Sequence, residues 1–73
     1  MKDKKIGFVG LGRMGSNMAR CLKDRGYSIS ALFDINQSVA SELAQEIGST
    51  AYHKLADVSA HADIILTVVS NDQ

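Results

Sequence analysis

Short apolar runs alternate along this chain with stretches whose apolar residues recur every three or four positions. The apolar runs at residues 5–9, 27–33 and 63–69 have the length and composition of strands. The stretches with helical spacing lie at about residues 13–25, 37–47 and 54–62, and glycines follow the first two as stop signals. A β-leaning segment at residues 49–52 predicts a minor strand before the third helix.

The predicted order βαβαβαβ indicates an α/β fold of the Rossmann type, because strands joined by helical crossovers form a parallel sheet. Right-handed crossovers and the order usual in nucleotide-binding sheets predict strands arranged 3-2-1-4. The last run, residues 63–69, is apolar without alternation, so we expect its strand to be buried on both faces. In this arrangement a crevice opens between the carboxyl ends of strands one and four.

The turn between the first strand and the first helix reads Gly-Leu-Gly-Arg-Met-Gly at residues 10–15. Such a turn brings backbone N–H groups and a helix N-terminus together, where a pyrophosphate can bind. Its first glycine allows the tight turn, its second lets the backbone approach the phosphates, and its third allows the helix to pack closely on the strand. The predicted cofactor contacts in this turn are Gly10, Leu11, Gly12, Arg13, Met14 and Gly15.

An acidic residue, Asp34, ends the second strand at 34 − 10 = 24 positions from Gly10. This spacing is close to the roughly 20 residues between the glycine turn and the acid that binds the adenosine ribose. The same carboxylate also fits a helix capping box, and the two roles are compatible. Because a carboxylate would repel a 2′-phosphate and no arginine or lysine follows to neutralise it, we expect NAD to be preferred over NADP.

Several other side chains have structural interpretations. Met14 and Met18 have the spacing of core residues, and Cys21 fits a small buried hydrophobe rather than a nucleophile. His53 and His61 are not at the spacing of metal ligands, so we predict no metal site, and we predict no catalytic residue in this chain. Across the crevice from the glycine turn, the candidate cofactor contacts are Val69, Ser70 and Asn71.

Composition narrows the choice of partners and location. The 73 residues carry eight basic and eight acidic side chains, so there is no basic stripe for binding nucleic acid. No stretch is apolar for long enough to span a bilayer, so no membrane association is expected. A single cysteine excludes an internal disulfide and fits a reducing compartment, which favours the cytoplasm.

Residues 8–22 resemble the N-terminal signature of the β-hydroxyacid dehydrogenases, through the pattern Gly-Leu-Gly-x-Met-Gly-x-x-Met-Ala. The later Ala-Asp-Ile-Ile-Leu-Thr-Val-Val at residues 62–69 is similar to that family as well. The chain departs from the pattern at Asn17, where the family often has proline, and at Cys21, where it often has asparagine. These departures leave the phosphate-binding glycines intact.

The resemblance implies that residues 1–73 are the N-terminal part of a dinucleotide-binding domain. In that family a catalytic lysine and an all-helical second domain come later in the chain, so this chain alone is expected to be catalytically incomplete. The implied activity is hydride transfer between a nicotinamide cofactor and a small hydroxyacid such as 3-hydroxyisobutyrate. An apolar fourth strand at the sheet edge would need covering, by further sequence or by a homo-oligomer.

Other functions remain open from the sequence. The chain could come from a 6-phosphogluconate dehydrogenase or an imine reductase, which differ in residues beyond this segment. It could also be a non-catalytic, stand-alone nucleotide-binding module. Binding of S-adenosylmethionine or a flavin would use a similar glycine turn and acid, but the Met-Gly-x-x-Met-Ala continuation favours a nicotinamide cofactor.

Overall fold

A parallel sheet with helices on both faces forms the framework of this protein, whose computed structural model describes residues 3–68. The first helix begins directly at the second glycine of the turn, one position before the predicted start. The second helix has the predicted bounds. In chain order the elements are β1 (Lys5–Val9), α1 (Gly12–Asp24), β2 (Ser28–Phe33), α2 (Gln37–Ile47), α3 (Leu55–Ala60) and β3 (Ile64–Thr67).

The three strands of the sheet are parallel and lie in the order β2-β1-β3. At the centre of the sheet, Phe8 on β1 is level with Leu32 on β2 and Leu66 on β3. This arrangement confirms the α/β, Rossmann-type fold predicted from the order of apolar and helical segments. It also places the carboxyl ends of all three strands at one edge of the sheet, where the glycine turn lies.

The predicted minor strand at residues 49–52 is reduced to a single bridge. Ala51 pairs with Leu32 in parallel, and the Leu32 N–H donates to the Thr50 carbonyl at 2.9 Å. The bridge lies on the side of β2 away from β1, which is where a strand three would lie. The described sheet therefore has three strands. They correspond to strands 2, 1 and 4 of the predicted order 3-2-1-4, and the single bridge lies where strand 3 was predicted.

The helices divide between the two faces of the sheet. Gly7 of β1 faces α3, since a β-carbon built on it would lie 2.8 Å from Val58 and 2.9 Å from Ala62. Ile6 and Phe8 point to the opposite face, because side chains alternate along a strand. There they are buried against α1 and α2 in one apolar cluster. The core therefore lies mainly between the sheet and the α1–α2 layer.

Helix α1 buries small residues, and this corrects the prediction that Met14 and Met18 are core contacts. The residues of α1 that face the sheet are Gly15, Ser16 and Ala19. Their small size lets the helix lie close to the strands, which leaves Met14 56% and Met18 40% exposed on its flank. Cys21 is also exposed, so the prediction of a buried cysteine is wrong.

Strand β3 is only half covered, which corrects the expectation that it is buried on both faces. Its residues alternate between partly buried and exposed, and Ile65 is 39% exposed. Ile65 is level with Gly7, which lies under α3, but no described element packs beyond β3 to cover its outer side.

Within residues 3–68 there is no helix with the length and apolar character needed to cross a membrane.

The close packing of α3 on Gly7 predicts that Gly7→Ala will destabilise the protein. The added methyl would overlap the fully buried Val58 and the nearby Ala62. Overpacking of this kind typically costs about 1–3 kcal/mol in the free energy of unfolding, measurable by urea denaturation. The cost of Gly7→Ala should be smaller in a Val58→Ala background, where the overlapping methyl is gone. An equal cost in both backgrounds would show that the contact between β1 and α3 is not as tight as described.

Candidate dinucleotide-binding site

The glycine turn lies where the ends of three strands meet. The Gly10 N–H donates to the Phe33 carbonyl at the end of β2, at 2.9 Å. The Val68 N–H donates to the Val9 carbonyl at 3.0 Å, so the end of β3 is tied to the last residue of β1. The turn is therefore fixed on both sides by backbone hydrogen bonds, which is the position predicted for the crevice of a parallel sheet.

Gly10 and Gly15 are positions where the backbone approaches too closely for a side chain. Gly10 has a φ of +79°, and a β-carbon built on it would lie 2.6 Å from the Val68 carbonyl oxygen. A β-carbon on Gly15 would lie 2.7 Å from the Gly10 carbonyl oxygen. Both clashes are with backbone atoms, which cannot rotate away. The turn thus lies directly against the first turn of α1 on one side and the end of β3 on the other.

The N-terminus of α1 has the features of an anion site. Its N-cap residue is Leu11, whose apolar side chain cannot accept the first helical N–H groups, and the side-chain contact at this end goes to the Leu11 N–H itself. The first turn also contains no acidic residue. Free N–H groups and the positive end of the helix dipole therefore face the turn, where a phosphate would be stabilised.

Asp34 lies beside this turn and is hydrogen-bonded to it. Its Oδ2 accepts the Leu11 N–H at 2.7 Å, and its Oδ1 accepts the Asn36 N–H at 2.8 Å. The residue is half-buried at the carboxyl end of β2. The carboxylate is therefore held in one orientation next to the glycine turn, and each oxygen retains capacity to accept a further hydrogen bond.

The capping role predicted for Asp34 belongs instead to Asn36. Asn36 is the N-cap of α2, and its side-chain oxygen accepts the Ser38 N–H at 3.1 Å. Asp34 lies two positions earlier, and both of its bonds are made to backbone outside the helix. Asp34 therefore does not cap α2, and the remaining acceptor capacity of its carboxylate is available to a ligand bound at the turn.

A groove of about 460 Å³ opens between the N-terminal half of α1 and the start of α2. It begins at Gly12, so it adjoins the anion site, and four of its six lining residues have polar side chains. Of the residues that line it, only Gly12 and Arg13 were predicted from the sequence. Polar residues recur every three or four positions along α1, and this spacing was a signal for the other polar residues of the groove. The lining residues are Gly12, Arg13, Ser16, Asn17, Arg20 and Val39.

Arg20 in this groove is already paired. Its guanidinium forms two hydrogen bonds with the Glu46 carboxylate, at 2.6 and 3.1 Å, and a third with Asn17 Oδ1 at 3.0 Å. The hydrogen bond with Glu46 raises the pKa of Arg20 above its ordinary value. This contact joins α1 to α2 across the groove and offsets much of the positive charge that Arg20 brings to it.

The structure brings several of the predicted site residues together and separates others from them. Leu11 is buried, with its amide committed to Asp34, and Met14 is exposed on the flank of α1. The three candidate contacts after the last strand, Val69, Ser70 and Asn71, lie outside the described residues. The predicted residues that meet at the turn and groove are Gly10, Leu11, Gly12, Arg13, Gly15 and Asp34.

Comparison with known proteins shows the family of this chain. Residues 5–73 match the family model described as the NAD binding domain of 6-phosphogluconate dehydrogenase. The chain is 39% identical over 69 residues to the mitochondrial 3-hydroxyisobutyrate dehydrogenase of Drosophila melanogaster, covering 94% of this chain and 21% of that relative. It is 40% identical over 70 residues to 2-(hydroxymethyl)glutarate dehydrogenase of Eubacterium barkeri, covering 96% and 23%. The chain therefore spans less than a quarter of the length of these relatives.

Solved structures share the same fold. A UDP-N-acetylglucosamine 3-dehydrogenase from Acidithiobacillus ferrooxidans superposes with a TM-score of 0.82 at 24% identity, over 92% of this chain and 22% of that one. An imine reductase from Pseudomonas sp. superposes with a TM-score of 0.76 at 25% identity, over 88% and 22%. The likeness to the dehydrogenase is evidence for the fold alone.

Because Gly15 lies so close to the turn, we predict that Gly15→Ala lowers the free energy of unfolding, whereas glycine-to-alanine changes inside helices usually raise it. Gly15→Ala in an ordinary helix interior would stabilise the protein by about 1 kcal/mol through helix propensity. Here the new methyl would overlap the Gly10 carbonyl oxygen, so we expect the free energy of unfolding to fall. Ser41→Ala on the exposed face of α2 is the matched control and should be neutral or slightly stabilising. If Gly15→Ala were stabilising in urea denaturation, the described contact between α1 and the turn would be wrong.

Proposed function

The chain belongs to the family described as the NAD binding domain of 6-phosphogluconate dehydrogenase, and from this premise we propose that it serves a hydroxyacid dehydrogenase. In this proposal the domain holds a nicotinamide dinucleotide while hydride passes between the nicotinamide and a small hydroxyacid such as 3-hydroxyisobutyrate. Support comes from the relatives named above, which are dehydrogenases of 3-hydroxyisobutyrate and 2-(hydroxymethyl)glutarate. When bound, the cofactor supplies the nicotinamide ring that accepts or donates the hydride.

The observation that carries the proposal is the junction of an uncapped helix N-terminus with a fixed carboxylate. The N–H groups at the start of α1 are suited to the pyrophosphate, because they are free of side-chain caps and lie at the positive end of the helix. The Asp34 carboxylate is bonded to the same turn and is suited to the adenosine ribose hydroxyls. A dinucleotide presents an anionic pyrophosphate and a neutral diol side by side, and the two halves of this site match those two chemistries.

NAD is the proposed cofactor in preference to NADP. The Asp34 carboxylate would lie beside the 2′ position of the ribose, where a phosphate would be repelled. Two arginines line the adjoining groove: Arg13, which was predicted as a cofactor contact, and Arg20, which was not. Arg20 is paired with Glu46, so its charge is largely offset, and Arg13 is on the exposed side of α1. The fixed negative charge at Asp34 therefore dominates the electrostatics of the ribose position.

Catalysis in this proposal needs more than the chain itself provides. Residues 1–73 would be the N-terminal part of the dinucleotide-binding domain, with the acid–base lysine and the helical substrate domain supplied by further sequence. The half-covered strand β3 and its exposed Ile65 give that sequence, or a second copy of the chain, a sheet edge to extend. A cytoplasmic location is proposed from the single cysteine, although several relatives carry mitochondrial names.

An imine reductase is the second candidate, favoured by the superposition on such an enzyme. It would use the same cofactor site with a different substrate and different downstream residues. Assaying a protein that carries this chain together with the downstream substrate domain separates the two, with NAD and a panel of small hydroxyacids in one assay and NADPH and cyclic imines in the other. Turnover of hydroxyacids supports the first proposal, and turnover of imines alone supports the second.

The proposed role of Asp34 predicts a measurable cofactor preference. Calorimetric titration should give an NAD dissociation constant at least about fivefold below that for NADP, since a like charge beside the phosphate costs on the order of 1 kcal/mol or more. Asp34→Arg should abolish or reverse the ratio of the two constants, because it replaces the repelling charge by an attracting one. Asp24→Arg makes the same change of charge at the far end of α1 and should leave the ratio unchanged. An unaltered ratio in Asp34→Arg would remove Asp34 from cofactor selection.

A further inference from the structure

We infer that Asp34 positions the phosphate-binding turn itself, in addition to any contact with the ribose, an inference that rests on the proposed function. The direct observation is the 2.7 Å hydrogen bond from the Leu11 N–H to Asp34 Oδ2. This bond links residues that lie 23 positions apart in the sequence. Asp34 would then contribute to binding of the pyrophosphate, which it does not touch.

The bond fixes one particular peptide unit. The Leu11 N–H and the Gly10 carbonyl belong to the same planar peptide and point in opposite directions. While the N–H points to Asp34, the carbonyl oxygen points toward α1, where it occupies the space that a β-carbon on Gly15 would need. The Asp34 carboxylate, the Gly10–Leu11 peptide and Gly15 thus form one connected arrangement.

The alternative orientation of this peptide is disfavoured by Asp34. A flip of this peptide rotates ψ of Gly10, which glycine tolerates, and also φ of Leu11, whose present value of −92° would become a positive φ that is strained for a residue with a side chain. A flip would turn the Gly10 carbonyl oxygen toward the carboxylate, so a charge-assisted hydrogen bond would be replaced by repulsion between two oxygens. Asp34 therefore reinforces, together with the torsional preference of Leu11, the orientation that leaves the first N–H groups of α1 facing a ligand.

The carboxylate is itself held by a second backbone contact. Its second oxygen, Oδ1, accepts the Asn36 N–H at 2.8 Å, and Asn36 is anchored as the N-cap of α2. The carboxylate is therefore bound at both oxygens by backbone groups from two different loops. Preorganisation of this kind lowers the entropy that must be lost when a ligand binds.

Asp34→Asn tests the inference with a side chain of the same shape. The asparagine has one acceptor oxygen and one NH₂ group, so it can accept only one of the two backbone N–H groups that Asp34 holds. Two ligands are needed: NAD, and an NAD analogue whose adenosine ribose lacks the 2′ and 3′ hydroxyls. Asp24→Asn, which removes the same charge from an exposed position at the end of α1, is the control.

The two ligands distinguish positioning from direct contact. If Asp34 positions the turn, Asp34→Asn will weaken binding of both ligands, by about tenfold or more, as expected for a lost hydrogen bond to a charged group. If Asp34 acts only through the ribose hydroxyls, Asp34→Asn will weaken NAD and leave the dideoxy analogue unaffected, and the inference is overturned. A wild-type protein that binds neither ligand would instead contradict the proposed function, a result that separates the two failures.

A measurement on the ligand-free wild-type protein keeps the inference testable if Asp34→Asn fails to fold. The Leu11 amide should exchange with solvent at least about tenfold more slowly than the Ile35 amide, because Leu11 is hydrogen-bonded and Ile35 lies in a turn with 94% of its surface exposed. In folded Asp34→Asn, protection of Leu11 should fall while protection of core amides such as Leu32 is retained. Equal exchange at Leu11 and Ile35 in the wild-type protein would overturn the inference.

Discussion

At the junction of β1 and α1, backbone atoms from three segments of the chain approach one another so closely that no side chain fits between them. The Val68 carbonyl lies against Gly10, and the Gly10 carbonyl lies against Gly15. These two contacts bring the end of β3, the turn and the first helical turn into one compact unit. The distance between helix and sheet, and hence the position of every N–H group at the start of α1, depends on them.

The sheet explains why a charged ligand can be bound at this junction. Parallel strands place their carboxyl ends on one edge, so β1, β2 and β3 deliver the turn, Asp34 and Val68 to the same place. Helix α1 adds a positive end there, and the turn supplies no side chain to compensate it. The apolar cluster beneath, around Phe8 and Leu32, fixes the strands from which these groups project. Packing and electrostatics thus act on the same few residues.

Local patterns were sufficient to predict most of the fold. The bounds of α2 followed from its apolar spacing and its terminal glycine, and Asp34 followed from its distance to the glycine turn. The predictions failed where burial depends on what neighbouring elements leave uncovered. Met14 and Met18 have core spacing, but the small face of α1 is the one that packs on the sheet. In the same way, the apolar composition of β3 does not reveal that its outer side has no described neighbour.

The least predictable features of the site were contacts between distant residues. No spacing rule connects Leu11 to Asp34 or Arg20 to Glu46, because each pair meets only after the helices and strands have packed. The sequence therefore indicated which groups could bind a dinucleotide. The hydrogen bonds that hold those groups in place became visible only in the folded chain. The Arg20–Glu46 pair in particular offsets the charge of one of the two arginines that line the groove.

The central claim is that the pyrophosphate of a nicotinamide dinucleotide binds at the N-terminus of α1, and an NMR titration of the protein with NAD tests it most directly. Binding there predicts that the largest shifts of backbone amides fall on Gly12, Arg13 and Gly15, with smaller changes at Asn36 and none on α3. Saturable shifts centred on α3 or on the outer side of β3, with the α1 amides unchanged, would contradict it.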